Sequence, residues 1–166
     1  NDDGLPPHSI EAIVYGGADS DIAAAIHARK SAGIQTYGTS STQLVDASGR
    51  LRTIFFSRPA AVSIYIRISA LVTDDSYLGD TSLQDALSAY IGAEGENLAA
   101  SGLAIGESVY YNRLMCPVND TQGVVDYTLE VSTDGSGWKK SNIVLSALQK
   151  AVTSKEKVII SHEGSA

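Results

Sequence analysis

The clearest pattern in the chain is an alternation of apolar and polar residues in VSIYIRISALV, residues 62–72. The polar positions are Ser63, Tyr65, Arg67 and Ser69, and apolar residues lie between them. A period of two over this length predicts a β-strand with one buried face and one partly wet face. The predicted buried face consists of Val62, Ile64, Ile66, Ile68, Ala70 and Val72.

The first third of the chain predicts a strand, a helix and a β-hairpin. The strand covers residues 9–15, and Gly33 is suited to end the helix that follows. Runs at 42–46 and 51–57 flank the turn sequence Ala47–Arg50, which is typical of a hairpin. The helix is indicated by residues at i, i+3, i+4 and i+7, namely Ile22, Ala25, Ile26 and Arg29.

Two further helices are predicted after the alternating strand. Ser82 offers an N-cap to the first of them, with Asp85 three residues later. The second is expected over residues 107–116, where Pro117 would end or kink it. The apolar stripe of the first helix consists of Leu83, Ala86, Leu87, Tyr90 and Ile91.

The last part of the chain predicts a second half-wet strand around residues 125–131, a turn at 134–137, a helical turn at 147–152 and a final strand at 158–161. Half-wet strands are typical of sheets that are at least partly antiparallel. The pattern therefore predicts an α+β fold, with an antiparallel or mixed sheet and two to three helices packed mainly on one face.

The length of 166 residues is sufficient for one hydrophobic core. We expect a single α+β domain over residues 9–161. The opening NDDGLPPHS has the character of an internal segment, so we expect residues 1–8 to be a linker from a missing N-terminal region. Residues 162–166 are expected to form a disordered tail.

Acidic residues outnumber basic ones, with 19 Asp and Glu against 12 Lys and Arg. The basic residues are spread along the chain, whereas nucleic-acid binding requires a concentrated basic face that displaces counterions from phosphates. No apolar run approaches the roughly 18 residues that a membrane-spanning helix needs. We therefore expect neither nucleic acid nor a membrane as a partner.

The segment VYGGADSDIAAAIHARK, residues 14–30, predicts a strand end, a glycine turn and a helix, an arrangement that often binds phosphate. It matches neither G-x-G-x-x-G nor the P-loop pattern. Asp19 and Asp21 would lie at the helix N-terminus and repel a phosphate. We expect Asp19 or Ser20 to cap the helix and the glycines to permit the turn, without a ligand.

The chain shows little that indicates catalysis or metal binding. His8, His27 and His162 are isolated, and none has a second ligand at metal spacing, so we expect no metal and no cofactor. There is no G-x-S-x-G motif, and Cys116 is expected to be a small buried hydrophobe. We therefore expect no enzyme activity. A catalytic triad assembled in space would require His27 or His162 beside a serine and a carboxylate.

Tyrosine is over-used, with eight copies. Each ring either packs with its hydroxyl in water or contributes to a protein–protein surface, where tyrosine is enriched. Tyr65 and Arg67 share the wetter face of the best-predicted strand, and they are the first interface candidates.

Several segments, in order, resemble the later part of baseplate J-like proteins of contractile-tailed bacteriophages. They are GLPPHS before the first strand, GGADSD before Ile22, AGIQTYG, and FSRP before the alternating strand. The resemblance is fairly specific over residues 4–70. It is looser over 71–161, where AIGESVYYNRLMCPV and QGVVDYTLEVS carry it.

The resemblance implies a structural protein of the baseplate wedge, in a phage tail or a phage-tail-like particle encoded by a prophage. It implies assembly in the bacterial host cytoplasm and contacts with other wedge and tail proteins, while self-association stays open. The family supplies no catalytic residues. The alternative is a small-ligand-binding regulatory α+β domain with residues 16–21 as its pocket, and an enzyme ranks third.

Overall fold

The computed structural model describes residues 6–94 and 102–164, and these form two compact units that divide at Pro59 and Ala60. The single domain expected over 9–161 is thus divided between an N-terminal and a C-terminal unit. Helices and strands occur in both units, and the sheets contain parallel and antiparallel pairs. The α+β prediction is confirmed.

The N-terminal unit contains two pairs of strands and one helix. β1 (Ser9–Glu11) pairs in parallel with β2 (Gln35–Tyr37), and α1 (Asp19–Arg29) connects them. β3 (Ser40–Val45) and β4 (Leu51–Phe56) form the predicted antiparallel hairpin. β1 is shorter than predicted, because the chain beyond it makes only an isolated bridge to Ser57.

Two details of α1 differ from the prediction. Its N-cap is Ala18, and no side chain makes a capping hydrogen bond, so the prediction that Asp19 or Ser20 caps the helix is wrong. Its buried residues are Ile22 and Ala23. The buried face is therefore rotated away from the predicted one.

The C-terminal unit is built on a mixed sheet. β6 (Tyr65–Thr73) lies between β7 (Val124–Ser132), which is antiparallel to it, and β9 (Val158–His162), which is parallel. Just before β6, β5 (Ala60–Ser63) pairs in parallel with β8 (Gln149–Val152). The predicted mixed sheet is thus present.

The predicted helical turn at 147–152 is wrong, because β8 occupies most of it. Val152 O accepts a hydrogen bond from the Ile64 amide at 2.8 Å, and Thr153 Oγ1 donates to Ile64 O at 2.7 Å. A short apolar run does not reveal by periodicity alone whether it is helical or extended. Pairing with a strand distant in sequence therefore decides its conformation.

The structure also bears on the predicted linker and tail at the two ends of the domain. His162 is the last residue of β9, so the expected disordered tail at 162–166 is wrong at its first residue, and residues 165–166 lie outside the described part of the chain. Of the expected linker 1–8, residues 1–5 lie outside it as well. His8 O accepts a hydrogen bond from the Gln35 amide at 2.9 Å, which ties the chain to β2 just before β1 begins.

A β-bulge changes the face of β6. Ile64, Ile66 and Ile68 are fully buried, as the alternation predicts. Ala70, however, is exposed with a φ of +50°, and Leu71 is buried instead. The pairing with both neighbouring strands shifts register at this point, which is the signature of a bulge. The predicted inward position of Ala70 is therefore wrong.

The first helix of this unit, α2 (Asp80–Ile91), buries Leu83, Leu87 and Ile91, so the predicted apolar stripe is confirmed. The predicted N-cap is wrong, because the helix begins at Asp80 and its N-cap is Gly79. Ser82 Oγ lies inside the first turn and donates to Gly79 O at 2.7 Å.

The second helix, α3 (Tyr111–Asn119), starts later than predicted and contains Pro117 within it. Pro117 therefore does not end the helix, which continues for two residues. Leu114 and Val118 of α3 are buried in the same core as the inner face of β6. Among the described helices, none is long and apolar enough to cross a membrane.

The bulge gives a matched pair of substitutions in one strand. We expect Ile66→Ala to lower the free energy of unfolding by about 2–5 kcal/mol, because it leaves a cavity in the core. Ala70→Gly should leave it unchanged or raise it by about 1 kcal/mol, because glycine adopts positive φ without strain. Urea unfolding followed by Trp138 fluorescence measures both changes, since Trp138 is the only tryptophan. Equal losses in the two variants would contradict the bulge.

Candidate interaction surface

The glycine turn before α1 is bound by an arginine from the FSRP segment. Gly16 and Gly17 have φ values of +73° and +78°, and their carbonyl groups point to one place. Arg58 Nη1 donates to Gly16 O at 2.5 Å, and Nη2 donates to Gly17 O at 2.8 Å. Nη2 also pairs with Asp19 Oδ1 at 2.6 Å. The planar guanidinium is suited to such fork-shaped recognition.

This arrangement presents acceptors where a phosphate site would present donors. Carbonyl oxygens and a carboxylate attract a cation, and Arg58 already supplies one. The prediction that the turn binds no phosphate stays a prediction. The sequence motifs did not reveal Arg58, because its partners lie about forty residues earlier in the chain.

The two predicted interface residues lie on the outer face of β6, opposite the buried isoleucines. Arg67 donates to Glu130 Oε2 from Nε at 3.0 Å and from Nη2 at 2.5 Å. Glu130 is its direct cross-strand neighbour on β7. The Arg67 Cζ atom also lies 4.6 Å from the centre of the Trp138 ring, within the range of a cation–π interaction.

Tyr65 is held by a second group of contacts. Lys157 Nζ lies 5.5 Å from the centre of the Tyr65 ring, and it also pairs with Glu94 and with Ser63 Oγ. The 134–137 turn also packs near this ring, since a Cβ atom at Gly135 would lie 3.4 Å from it. The ring is therefore half-buried near the 134–137 turn and Lys157.

The turn before Trp138 is ordered by one carboxylate. Asp134 Oδ1 accepts hydrogen bonds from Ser132 Oγ at 2.6 Å and from the amides of Ser136 and Gly137, each at 2.8 Å. The bond from the Gly137 amide and those from the two serines hold the pKa of Asp134 well below its ordinary value. The charged carboxylate thus fixes the turn that presents Trp138 beside Arg67.

We call the set Tyr65, Arg67, Glu130, Trp138 and Lys157 the outer-face cluster. It combines aromatic rings with paired charges, a composition that is common in protein–protein interfaces. The same contacts also hold neighbouring strands together, so the side chains serve the fold in any case. An interface role for Tyr65 and Arg67 stays a prediction. The other three members were missed, because only the sheet pairing brings them near β6.

A further cluster surrounds His162. Its Nε2 atom lies 2.8 Å from Asp80 Oδ1, and the Tyr77 hydroxyl donates to the same oxygen at 2.9 Å. Burial, with a further contribution from Asp80, raises the pKa of Tyr77 and keeps the hydroxyl protonated. Within residues 6–94 and 102–164, neither His162 nor His27 makes a hydrogen bond to a serine. The contacts that a triad needs are not assembled there.

The environment of Cys116 differs from the prediction. Cys116 is exposed, so its predicted burial is wrong. It lies midway between Leu114 and Val118, whose shared face is buried, and therefore points to the opposite side of α3. In the described ranges, no group of three or more His, Cys, Asp or Glu side chains is placed to hold a metal ion.

The Asp134 contacts predict a pH dependence. A lowered pKa in the folded state contributes stability that is present above the ordinary aspartate pKa of about 4 and is lost as the pH falls through the folded value. We expect the urea midpoint of the wild-type chain to fall below about pH 4. The urea midpoint of Asp134→Asn should fall less, because the asparagine oxygen can still accept hydrogen bonds and does not titrate. Asp75→Asn, at an exposed aspartate elsewhere in the C-terminal unit, is the control. Identical pH profiles for all three chains would contradict this account.

The Arg58 fork predicts a local loss of stability. Arg58→Ala should lower the opening free energy of α1 by about 1–2 kcal/mol, because two carbonyls and a carboxylate lose a partly exposed charged donor. Hydrogen exchange measured by mass spectrometry over residues 14–30 reports this opening. Arg29→Ala, an exposed arginine in the last turn of α1, serves as the control. Equal effects of the two variants would show that the fork does not hold the turn.

Comparison of the chain with protein-family models and with curated proteins gives no match. The likeness to baseplate J-like proteins therefore rests on the residues quoted from the sequence.

Proposed function

We propose that the chain is a structural component of the baseplate wedge of a contractile tail, in a phage or a phage-tail-like particle. Its role is to make subunit–subunit contacts with other wedge and tail proteins. The observation that supports this is that the segments resembling the family bind one another. The four segments within residues 4–59 form one framework in the N-terminal unit, and the glycine turn belongs to that framework.

Ser57, in the FSRP segment, is the centre of the framework. Its amide donates to Ala12 O at 2.8 Å, and its carbonyl accepts from the Val14 amide at 2.9 Å. Its hydroxyl donates to a Glu11 carboxylate oxygen and accepts from the Thr39 amide at 3.1 Å. One buried serine thus ties together the strand after GLPPHS and the chain after AGIQTYG.

Arg58, the next residue, adds the GGADSD turn to the same framework. Every segment in this set is therefore used for internal contacts. Internal contacts of this kind are expected in a structural subunit, whose residues maintain a shape that neighbouring subunits recognise. The outer-face cluster supplies a surface of the polar and aromatic kind that suits contacts between subunits.

The alternative, a small-ligand-binding regulatory domain, placed its pocket at residues 16–21. There the carbonyl groups of the turn and Asp19 bind Arg58. A ligand would have to displace an internal guanidinium that makes several hydrogen bonds. A structural role leaves these contacts of Arg58 unchanged, whereas ligand binding at residues 16–21 would break them.

The proposal predicts where the protein is found. We expect an epitope-tagged copy, expressed from its own genome, to co-purify with intact tail particles and to remain with the baseplate fraction after sheath and tube are separated. An untagged strain is the control for non-specific recovery. Recovery of the tagged chain only as a free protein, in cells that produce complete particles, would contradict the proposal.

The outer-face cluster can be tested in the same particles without altering a side chain. Alanine at Arg67 would remove contacts to Glu130 and Trp138, so an assembly defect would not distinguish a lost interface from a weakened sheet. Hydroxyl-radical footprinting avoids this difficulty. We expect oxidation of Tyr65 and Trp138 to decrease in the particle relative to the isolated chain, and to recover after dissociation. Unchanged oxidation would exclude the cluster from the interface.

A further inference from the structure

In the described part of the N-terminal unit, one edge of β4 forms no backbone ladder with another strand, because the sheet of β4 contains only β3 and β4, and β2 reaches this edge only near Phe55. In an antiparallel pair, every second residue exchanges hydrogen bonds with the partner strand. The Asp46 amide donates to Arg50 O at 2.9 Å, which sets the phase of this alternation. The residues that direct their backbone groups away from β3 are Leu51, Thr53 and Phe55.

Two contacts on the outer side support this phase. The Phe55 amide donates to Thr36 Oγ1 at 3.0 Å, and the Ser57 amide donates to Ala12 O at 2.8 Å. Both partners lie opposite β3. Among the hydrogen bonds of the described residues, none reaches the backbone of Thr53 from this side. The edge is therefore closed near Ser57 and open near Thr53.

The open edge borders a groove with a volume of about 550 Å³. One wall is β4 from Arg52 to Phe55, and the other includes His27 and residues 32–36. An added strand would lie about 4.8 Å from β4. The groove provides space in the direction in which the free backbone groups of β4 point.

The groove is positively charged within an acidic protein. The charged residues of its walls are Lys30 and Arg52, with no Asp or Glu, whereas the chain carries a net charge of −7. Lys30 Nζ donates to Ile34 O at 3.0 Å, which holds the ammonium group beside the groove. Arg52 also pairs with Asp46, which neutralises part of its charge. The charge pattern favours an occupant that carries carboxylates.

The exposed side chains of β4 favour an occupant in which apolar and acidic residues alternate. Leu51 is 61% exposed, its cross-strand partner Val45 is 65% exposed, and Phe55 lies on the same face. Arg52 points to the opposite face, because successive side chains of a strand alternate. A strand with apolar residues on one face would match Leu51 and Phe55. An acidic residue on its other face would meet Arg52 at the start of β4, because Ile54 and Phe56, the next residues on that face, are buried.

We propose that the open edge of β4 binds an extended acidic segment of a partner protein as an added β-strand. Backbone groups of Leu51 and Thr53 pair with the segment, its apolar side chains cover Leu51 and Phe55, and its carboxylates face Arg52 and Lys30. A second copy of this chain, paired through β4, is disfavoured because it would add its own Arg52 to the same groove. This inference does not depend on the baseplate role.

The test uses the whole chain and a capped peptide in which glutamate and valine alternate. We expect saturable binding, followed by NMR, with the largest shifts at the amides of Leu51 and Thr53 and slower hydrogen exchange at Thr53. The matched peptide with lysine in place of glutamate should bind at least about tenfold more weakly, because like charges meet in the groove.

Two variants separate backbone pairing from charge. Thr53→Pro removes the outward amide while the pairing of its neighbours with β3 remains, since proline is tolerated at strand edges. Lys30→Glu reverses one charge in the groove, and Lys140→Glu, an exposed position in the C-terminal unit, makes the same net change elsewhere. We expect the first two to weaken binding of the acidic peptide by about tenfold or more, and Lys140→Glu to leave it within about twofold.

Circular dichroism of each variant verifies folding before binding is measured. The proposal is overturned if folded Thr53→Pro binds the acidic peptide as wild type does, or if the lysine peptide binds equally well. It is also overturned if free glutamate alone reproduces the shifts at Leu51 and Thr53, because the groove would then be a small-anion site and not a strand-binding edge.

Discussion

The C-terminal unit depends on the two-sided constraint imposed on β6. This strand pairs with β7 and β9, so both of its edges are used. One face buries Ile66 and Ile68 in the core, together with Ile64 just before the strand. The outer-face cluster lies on its second face, where charge pairs and aromatic contacts join β6 to its neighbours while the face stays partly exposed. The fold and the candidate interface are thus built from the same side chains.

The N-terminal unit is held together more by polar contacts than by buried apolar residues. Its buried hydrophobic residues are few, and polar contacts from Ser57 and Arg58 carry much of its order. Hydrogen bonds to charged donors hold the glycine turn at a defined place relative to the neighbouring strand. The turn therefore has the strand, glycine turn and helix order of a phosphate-binding segment, although its carbonyl groups bind the cation Arg58. The hairpin leaves the edge of β4 open near Thr53, and the groove beside it favours an acidic occupant.

Local patterns predicted much of this fold. The alternation before the bulge, the hairpin around Ala47–Arg50 and the stripe of α2 depend on neighbouring residues, and each is present. The failures come from long-range contacts. The extended conformation of β8 arises from pairing with β5, about ninety residues earlier. The bulge at Ala70 moves Leu71 inward without any glycine or proline that would mark it.

The candidate site shows the same division. Period two alone places Tyr65 and Arg67 on one face of a strand. Glu130, Trp138 and Lys157 join them only through β7, the turn after it and the segment before β9. Arg58 was visible in the FSRP segment, but its partners depend on the tertiary fold. Chemistry carried by neighbours in sequence is thus predictable here, whereas chemistry that depends on strand pairing requires the structure.

The genes on either side of the full-length reading frame provide the most direct test of the baseplate role. The account predicts genes for sheath, tube, spike and tail fibre beside it, since the components of one particle are assembled together. A metabolic operon around the gene would contradict the account.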